Sequence, residues 1–103
     1  MGNYIGVSHT AEEIRLMNQL RDTRYKSFYN NLIKRNITRI SKVVDLLKDT
    51  KDEDPYCEKA NELLLSIYED NKLEPRGRDN WFCYHLGNKI NQAAGIDPLN
   101  EVL

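Results

Sequence analysis

From Ala11 to Asp49 the chain carries neither glycine nor proline. These are the residues that most readily interrupt a regular backbone, so nothing of that kind stops a helix across the stretch. At 100° per residue, Ile14, Met17, Tyr25, Phe28, Leu32, Val43, Leu46 and Leu47 stay within one apolar stripe. Ser8-His9-Thr10 leads in, and Thr10 with Glu13 supplies a capping box: the Thr10 hydroxyl accepts from the Glu13 N–H, and the Glu13 carboxylate reaches back. The weak point is Asn36-Ile37-Thr38, where low helix propensity and β-branching cluster. The pattern predicts one long helix over 8–49, kinked near Asn36, or two helices that meet there. Unbroken, such a helix would span roughly 55–60 Å, more than a compact domain of this size, and would favour a homodimer or higher oligomer.

Lys51 to Pro55 reads as a turn that starts a second helix over 54–71, with Asp54 as cap and Pro55 at the first position, where its missing N–H costs nothing. Cys57, Ala60, Leu64 and Ile67 form its stripe, widened by Leu63, Leu65 and Tyr68. Pro75 and Gly77 then make Lys72 to Arg78 a loop. A further helix is expected over 79–94, capped by Asp79 and ended by Gly95, with Ile96 folding back onto Ile90 and Pro98 blocking continuation. Phe82, Leu86, Ile90 and Ala93 share its inner arc, with Cys83 and Ala94 at the edge. The tail over 95–103 is apolar at Ile96, Leu99, Val102 and Leu103, suited to packing back or to inserting into a partner. No strand-like alternation and no internal repeat is present. The expected fold is all-α: a three- to four-helix bundle forming a single domain over 1–103, with a long first helix.

A hydrophobic fraction of 40% beside a charged fraction of 30% describes a globular chain with a wet surface. No apolar run approaches the roughly 20 residues that cross a bilayer, so no membrane association is expected. Two cysteines without a secretory signal point to reduced thiols and a cytoplasmic setting. Gly2 and Gly6 loosely resemble an N-myristoylation signal, but Gly6 stands where Ser or Thr is usual. Charge is segregated: residues 1–48 hold nine Lys/Arg against four Asp/Glu, and residues 49–75 hold three against nine. Mutual pairing of the two halves is the simplest account of that asymmetry.

The outer arc of the last helix carries the candidate partner-binding residues Arg78, Trp81, His85, Asn88 and Lys89, with Gln92 alongside. Trp81 is the only tryptophan, and an indole on a polar face is normally given a partner. That partner is either another protein or a second helix of the same domain.

Arg78-Asp79 followed by His85 has the R-x6-H spacing, with a polar residue after the arginine, and so resembles the motif of HEPN ribonucleases. The likeness covers those eight residues. It implies a helical bundle that assembles a composite site by dimerisation, with Arg78 steadying a scissile phosphate and His85 handling a proton. A second alternative is nucleic-acid or nucleotide binding by the basic first half, through Arg21, Arg24, Lys34, Arg35 and Arg39. Tyr25 and Tyr29 stand among these cations; against the reading, the sequence pI is about 6.1, and the two tyrosines sit on the apolar arc, which suits core positions rather than stacking platforms.

A zinc site would require Cys57, Cys83, His9 and His85 to converge without any C-x-x-C or H-x-x-x-H pair, so no metal is expected. Cys83 and His85 lie about 160° apart around a helix, the wrong geometry for a nucleophile and its base. Phosphate-binding glycine loops are absent as well, and no cofactor is expected. With no catalytic residue assigned, the expectation is a small non-enzymatic interaction protein that binds a host or partner protein. An inhibitor, immunity or adaptor-type accessory protein of a phage or mobile element fits that description.

Overall fold

The computed structural model describes residues 9–25, 27–52 and 57–96. Among the described residues it places five helices and no strand: α1 (Ala11–Leu20), α2 (Ser27–Arg35), α3 (Ile37–Thr50), α4 (Glu58–Asp70) and α5 (Asn80–Ala93). The chain is all-α, but the expected long helix over 8–49 is three helices. α1 opens with the expected capping box between Thr10 and Glu13. It ends where Arg21 turns to extended backbone, with ψ 148°. Asp22 explains the break, because its Oδ1 accepts the Arg24 N–H at 2.9 Å and its carbonyl accepts the Tyr25 N–H at 3.1 Å. A short aspartate side chain that satisfies the backbone two residues on offers the chain a turn in place of a helix. Asn30 then pins the turn to α2, accepting from the Asp22 N–H and donating to the carbonyls of Asp22 and Tyr25.

The second break falls at Asn36, where the sequence is weakest. Its φ and ψ are −110° and 16°, and its Nδ2 donates to the Leu32 carbonyl at 2.8 Å. The same amide group exchanges hydrogen bonds with the Asn71 side chain, each at 3.2 Å, which ties the α2–α3 corner to the end of α4. Broken twice, the stretch lacks the single long helix whose length would have favoured a dimer.

α3 is the element against which every other helix packs. Ile37, Ile40, Val43, Val44 and Leu47 recur at helical spacing along it, and all five are buried. Each such side chain contributes on the order of 1.5–3 kcal/mol through burial. Leu16 and Leu20 of α1, Leu32 and Ile33 of α2, Ile67 of α4, and Phe82, Leu86 and Ile90 of α5 close the core around it. Two members of the expected stripe do not join. Ile14 is 48% exposed on α1, whose buried side chains are Leu16 and Leu20, and Phe28 is 55% exposed on α2, because the break at Asp22 ends the register a continuous helix would have kept. The segregated charge is answered in part where α3 meets α4: Arg39 pairs with Asp70 at 2.8 Å and donates to the Ser66 hydroxyl.

α4 and α5 end alike. After α4, Lys72 sits in the left-handed region at φ 59°, and the N–H groups of Lys72 and Leu73 bond the carbonyls of Glu69 and Tyr68. After α5, Gly95 adopts φ 83°, and the N–H groups of Gly95 and Ile96 bond Gln92 and Asn91. Both are Schellman ends, which satisfy carbonyls that a helix terminus would otherwise leave unpaired. Gly95 was legible as such a stop, and Ile96 packs on the core as expected. Asp54 and Pro55 as the start of the second helix lie outside the described residues. So do Gly2, Gly6 and Ser8 at the start, and Pro98, Leu99, Val102 and Leu103 of the tail. No helix among the described residues is long and apolar enough to cross a membrane.

Candidate functional site

The buried side of α5 is the one its spacing predicts. Phe82, Cys83, Leu86, Ile90 and Ala94 all lie in the core, with Ala93 partly covered. That seating fixes the helix as a rigid platform and decides which side chains face outward. Trp81 is 68% exposed and Tyr84 is 56% exposed. His85, half-buried, lies between them and the domain. Its ring stacks on Trp81 at a centroid distance of 6.0 Å and meets Tyr84 edge-on at 5.3 Å, while Trp81 and Tyr84 stand nearly perpendicular at 6.2 Å. Edge-to-face and offset-stacked pairs of this kind are the favourable arrangements of aromatic quadrupoles.

These rings continue into the molecule. His85 touches Tyr25 at 6.3 Å, Tyr25 meets Phe82 edge-on at 5.5 Å, and Tyr29 stacks on Phe82 at 4.3 Å. Phe28 closes the chain against Tyr29 at 5.1 Å. An unbroken aromatic path thus runs from exposed Phe28 on α2, through the edge of the core, to exposed Trp81 and Tyr84 on α5. Tyr25 lies on the apolar stripe of the sequence and packs at the edge of the core. Tyr84 belongs to the surface, and its i, i+3 spacing from Trp81 was the available signal.

Asp79 anchors the start of the platform in a way not foreseen. Its backbone carbonyl accepts the first helical bond, from the Cys83 N–H, but its side chain makes no cap. The carboxylate turns inward instead and is only 2% exposed. It accepts from the Tyr29 hydroxyl at 2.7 Å, the Glu74 N–H at 2.8 Å and the Arg78 Nε at 3.2 Å. Burial works to raise the carboxyl's pKa. The Glu74 N–H, the Tyr29 hydroxyl and Arg78 together outweigh it, leaving the carboxyl below the usual range. A buried charge with this many donors is satisfied rather than stranded.

The remaining predicted residues divide by what holds them. Arg78 leans back over the loop, donating to the Lys72 carbonyl at 2.9 Å and pairing with Asp79 at 3.1 Å, with Glu74 at 3.8 Å. Lys89 lies on the outward arc but donates from Nζ to the Arg21 carbonyl at 2.9 Å, with Asp22 at 3.7 Å. It therefore closes the C-terminal end of α1. Asn88 is half-buried. Arg78 and His85, the pair of the HEPN-like spacing, have separate surroundings, and among the described residues no hydrogen bond, ion pair or ring contact joins them.

The basic set does not act as one stripe either. Arg24 is held by Asp22, with Nη2 to Oδ2 at 2.6 Å, and Arg39 is taken up by Asp70 and Ser66. Arg35 is exposed at the last turn of α2. Arg21 and Lys34 face a common concavity of about 280 Å³ between α1 and α2. Among the described residues no group of three or more His, Cys, Asp or Glu is placed to hold a metal ion. The Cys83 thiol is buried, and its pKa is pushed up to about 11 chiefly by that burial, which leaves little nucleophilic thiolate at neutral pH. In comparisons with protein-family models, with curated proteins and with solved structures, the chain matches none.

Proposed function

We propose that this chain is a non-enzymatic interaction protein of the inhibitor, immunity or adaptor type, which engages a partner protein through the first two turns of α5. The observation that carries this reading is the adjacent exposure of Trp81 and Tyr84 on a helix whose other face is fully seated in the core. Trp, Tyr and Arg are the residue types enriched among binding hot spots, and Arg78 is exposed on the loop three residues before Trp81. Mutual ring packing, together with the loop bonds of Arg78, holds these side chains in place before any partner arrives, so little entropy is lost on association. A second copy of the chain is one partner of this kind, and the expected homo-oligomer is proposed on this surface.

The test compares the wild-type chain with a Trp81→Ala/Tyr84→Ala double variant as bait. A partner retained by the wild type and lost by a folded variant supports the reading, whereas an unchanged set of retained proteins overturns it. Light scattering at about 100 μM, read for both proteins, reports whether that partner is the chain itself. Cleavage of an RNA pool that vanishes in His85→Ala would replace the interaction reading with the ribonuclease one.

A further inference from the structure

The concavity between α1 and α2 brings together side chains that the rest of the fold leaves uncommitted. Arg21 and Lys34 line it together with Asn18 and Asn31, and Met17, over the buried Ile33, supplies an apolar patch. Among the described residues, none of the two cations and two amides has a side-chain hydrogen bond or ion pair. The surrounding backbone, by contrast, is held firmly. Lys89 holds the Arg21 carbonyl, and the Asn30 side chain clamps the turn that follows Arg21 onto α2. The site therefore has a fixed frame and unspent polar groups.

We infer that this groove binds a small phosphate monoester whose organic part carries hydrogen-bonding groups, the chemistry shared by a nucleoside monophosphate and a sugar phosphate. Two cations match the charge of about −2 that a phosphate monoester carries at neutral pH. An arginine presents a planar fork to phosphate oxygens, and a lysine adds a compact point charge. The Asn18 and Asn31 amides offer both donors and acceptors to hydroxyls or a base edge, and Met17 covers part of its apolar surface. A volume of about 280 Å³ lies just below the range of small-molecule sites, which run from roughly 300 Å³ upward. It accommodates one ester group and not a run of nucleotides. A strand would need a track of cations, yet Arg24 and Arg39 of the basic set are neutralised by Asp22 and Asp70, and Arg21 and Lys34 are the two cations that line the groove. This site is independent of the partner-binding reading.

The test is a two-dimensional amide NMR titration of the full chain with adenosine 5′-monophosphate and with glucose 6-phosphate in separate arms, beside adenosine and inorganic phosphate. Saturable shifts centred on Asn18, Arg21, Asn31 and Lys34 are expected from at least one ester, with Kd below about 1 mM. The arm that binds more tightly identifies the source of the ligand. Inorganic phosphate should bind at least threefold more weakly, and adenosine should not saturate. Arg21→Gln and Lys34→Gln should each weaken the ester at least tenfold, and Arg35→Gln should stay within twofold. Trp81→Ala should leave ester binding intact, which keeps this result separate from the partner surface. Circular dichroism verifies that each variant is folded, and the map of shifts on the wild type stands without any variant. The inference is overturned by the absence of saturation with both esters at about 10 mM, or by equal affinity for inorganic phosphate. Indifference to both cation variants overturns it as well, as does a single-stranded oligonucleotide binding more than tenfold tighter than the mononucleotide.

Discussion

The Tyr29 hydroxyl donates to Oδ1 of Asp79 at 2.7 Å, across 50 residues of sequence. This bond joins α2 to the residue that opens α5, and it explains why the loop before the Trp81 platform holds its shape. A neutral donor contributes to stability here because its acceptor is charged and buried, a setting in which one hydrogen bond is worth about 1.5–3 kcal/mol.

Tyr29→Phe should therefore destabilise the fold by about 1.5–3 kcal/mol at pH 7, measured by urea unfolding. The sign of the pH dependence follows from Asp79, whose folded pKa is depressed relative to the unfolded chain. Its contribution is full above the unfolded carboxyl pKa of about 4, declines below that, and is lost as pH falls through the folded value. Asp22, held well below the usual carboxylate range by Arg24, adds to the same acid-side loss. The gap between wild type and Tyr29→Phe should accordingly shrink between pH 7 and pH 3. An equal gap at both would show that Asp79 is not the acceptor that matters.

A contrast between two large apolar side chains tests the core. Leu86 is 2% exposed and Phe28 is 55% exposed, although the sequence gives both positions to an apolar stripe. Leu86→Ala should cost about 2–5 kcal/mol through lost contacts and a residual cavity. Phe28→Ala should cost less than about 1 kcal/mol, since one face of its ring already meets water. Similar losses at the two positions would mean that α2 is rotated relative to the arrangement described.

The helix over 80–93 was legible because its signals are local: a Pro-Gly loop before it, a glycine after it, and one apolar arc between. The turn at Asp22 was not, because glycine and proline are missing from it, and Asn30, which pins the turn that Asp22 itself starts, comes from eight residues away. Asp79 shows the same limit. Its place at the helix start was readable, but its inward turn depends on Tyr29, which adjacency in sequence cannot reveal. On the candidate surface, angle around the helix placed Trp81 outward and gave Lys89 the same face. Only the fold brings the Arg21 carbonyl, 68 residues away, to Lys89 and makes it a support of α1.

Lys89→Ala should on that account act on stability. Losing a charged donor to the end of α1, on a partly exposed side chain, is worth about 1 kcal/mol. For a chain of this size that corresponds to a fall in Tm of roughly 4–8 °C. Calorimetry that finds Tm unchanged would return Lys89 to the binding surface.

The two Schellman ends give a prediction of opposite signs. Lys72 holds a left-handed conformation with a Cβ that disfavours it, whereas Gly95 holds the same kind of conformation without one. Lys72→Gly should stabilise the chain by about 0.5–1 kcal/mol. Gly95→Ala should destabilise it by about 1–2 kcal/mol, and its new Cβ would also stand 2.7 Å from the Lys51 Nζ, a flexible group able to move aside. Thermal unfolding of the pair reads both, and shifts in the same direction would contradict the backbone geometry at one end.

The proposed partner surface depends on Trp81 being available in the isolated protein. At 68% exposure its indole should emit at the long wavelength of a solvated ring, and a soluble quencher should reach it readily. Removing it should leave the fold nearly intact, at a cost under about 1 kcal/mol, because its contacts are the surface rings of Tyr84 and His85 and not the core. Partner affinity should fall by at least about 2 kcal/mol in the same variant, as expected where a rigid aromatic anchor is deleted from the centre of an interface. An internal packing role would reverse every one of these readings. Emission would then be blue-shifted and shielded from quencher, and Trp81→Ala would cost about 3–5 kcal/mol of stability. That outcome would leave the α5 surface without its anchor.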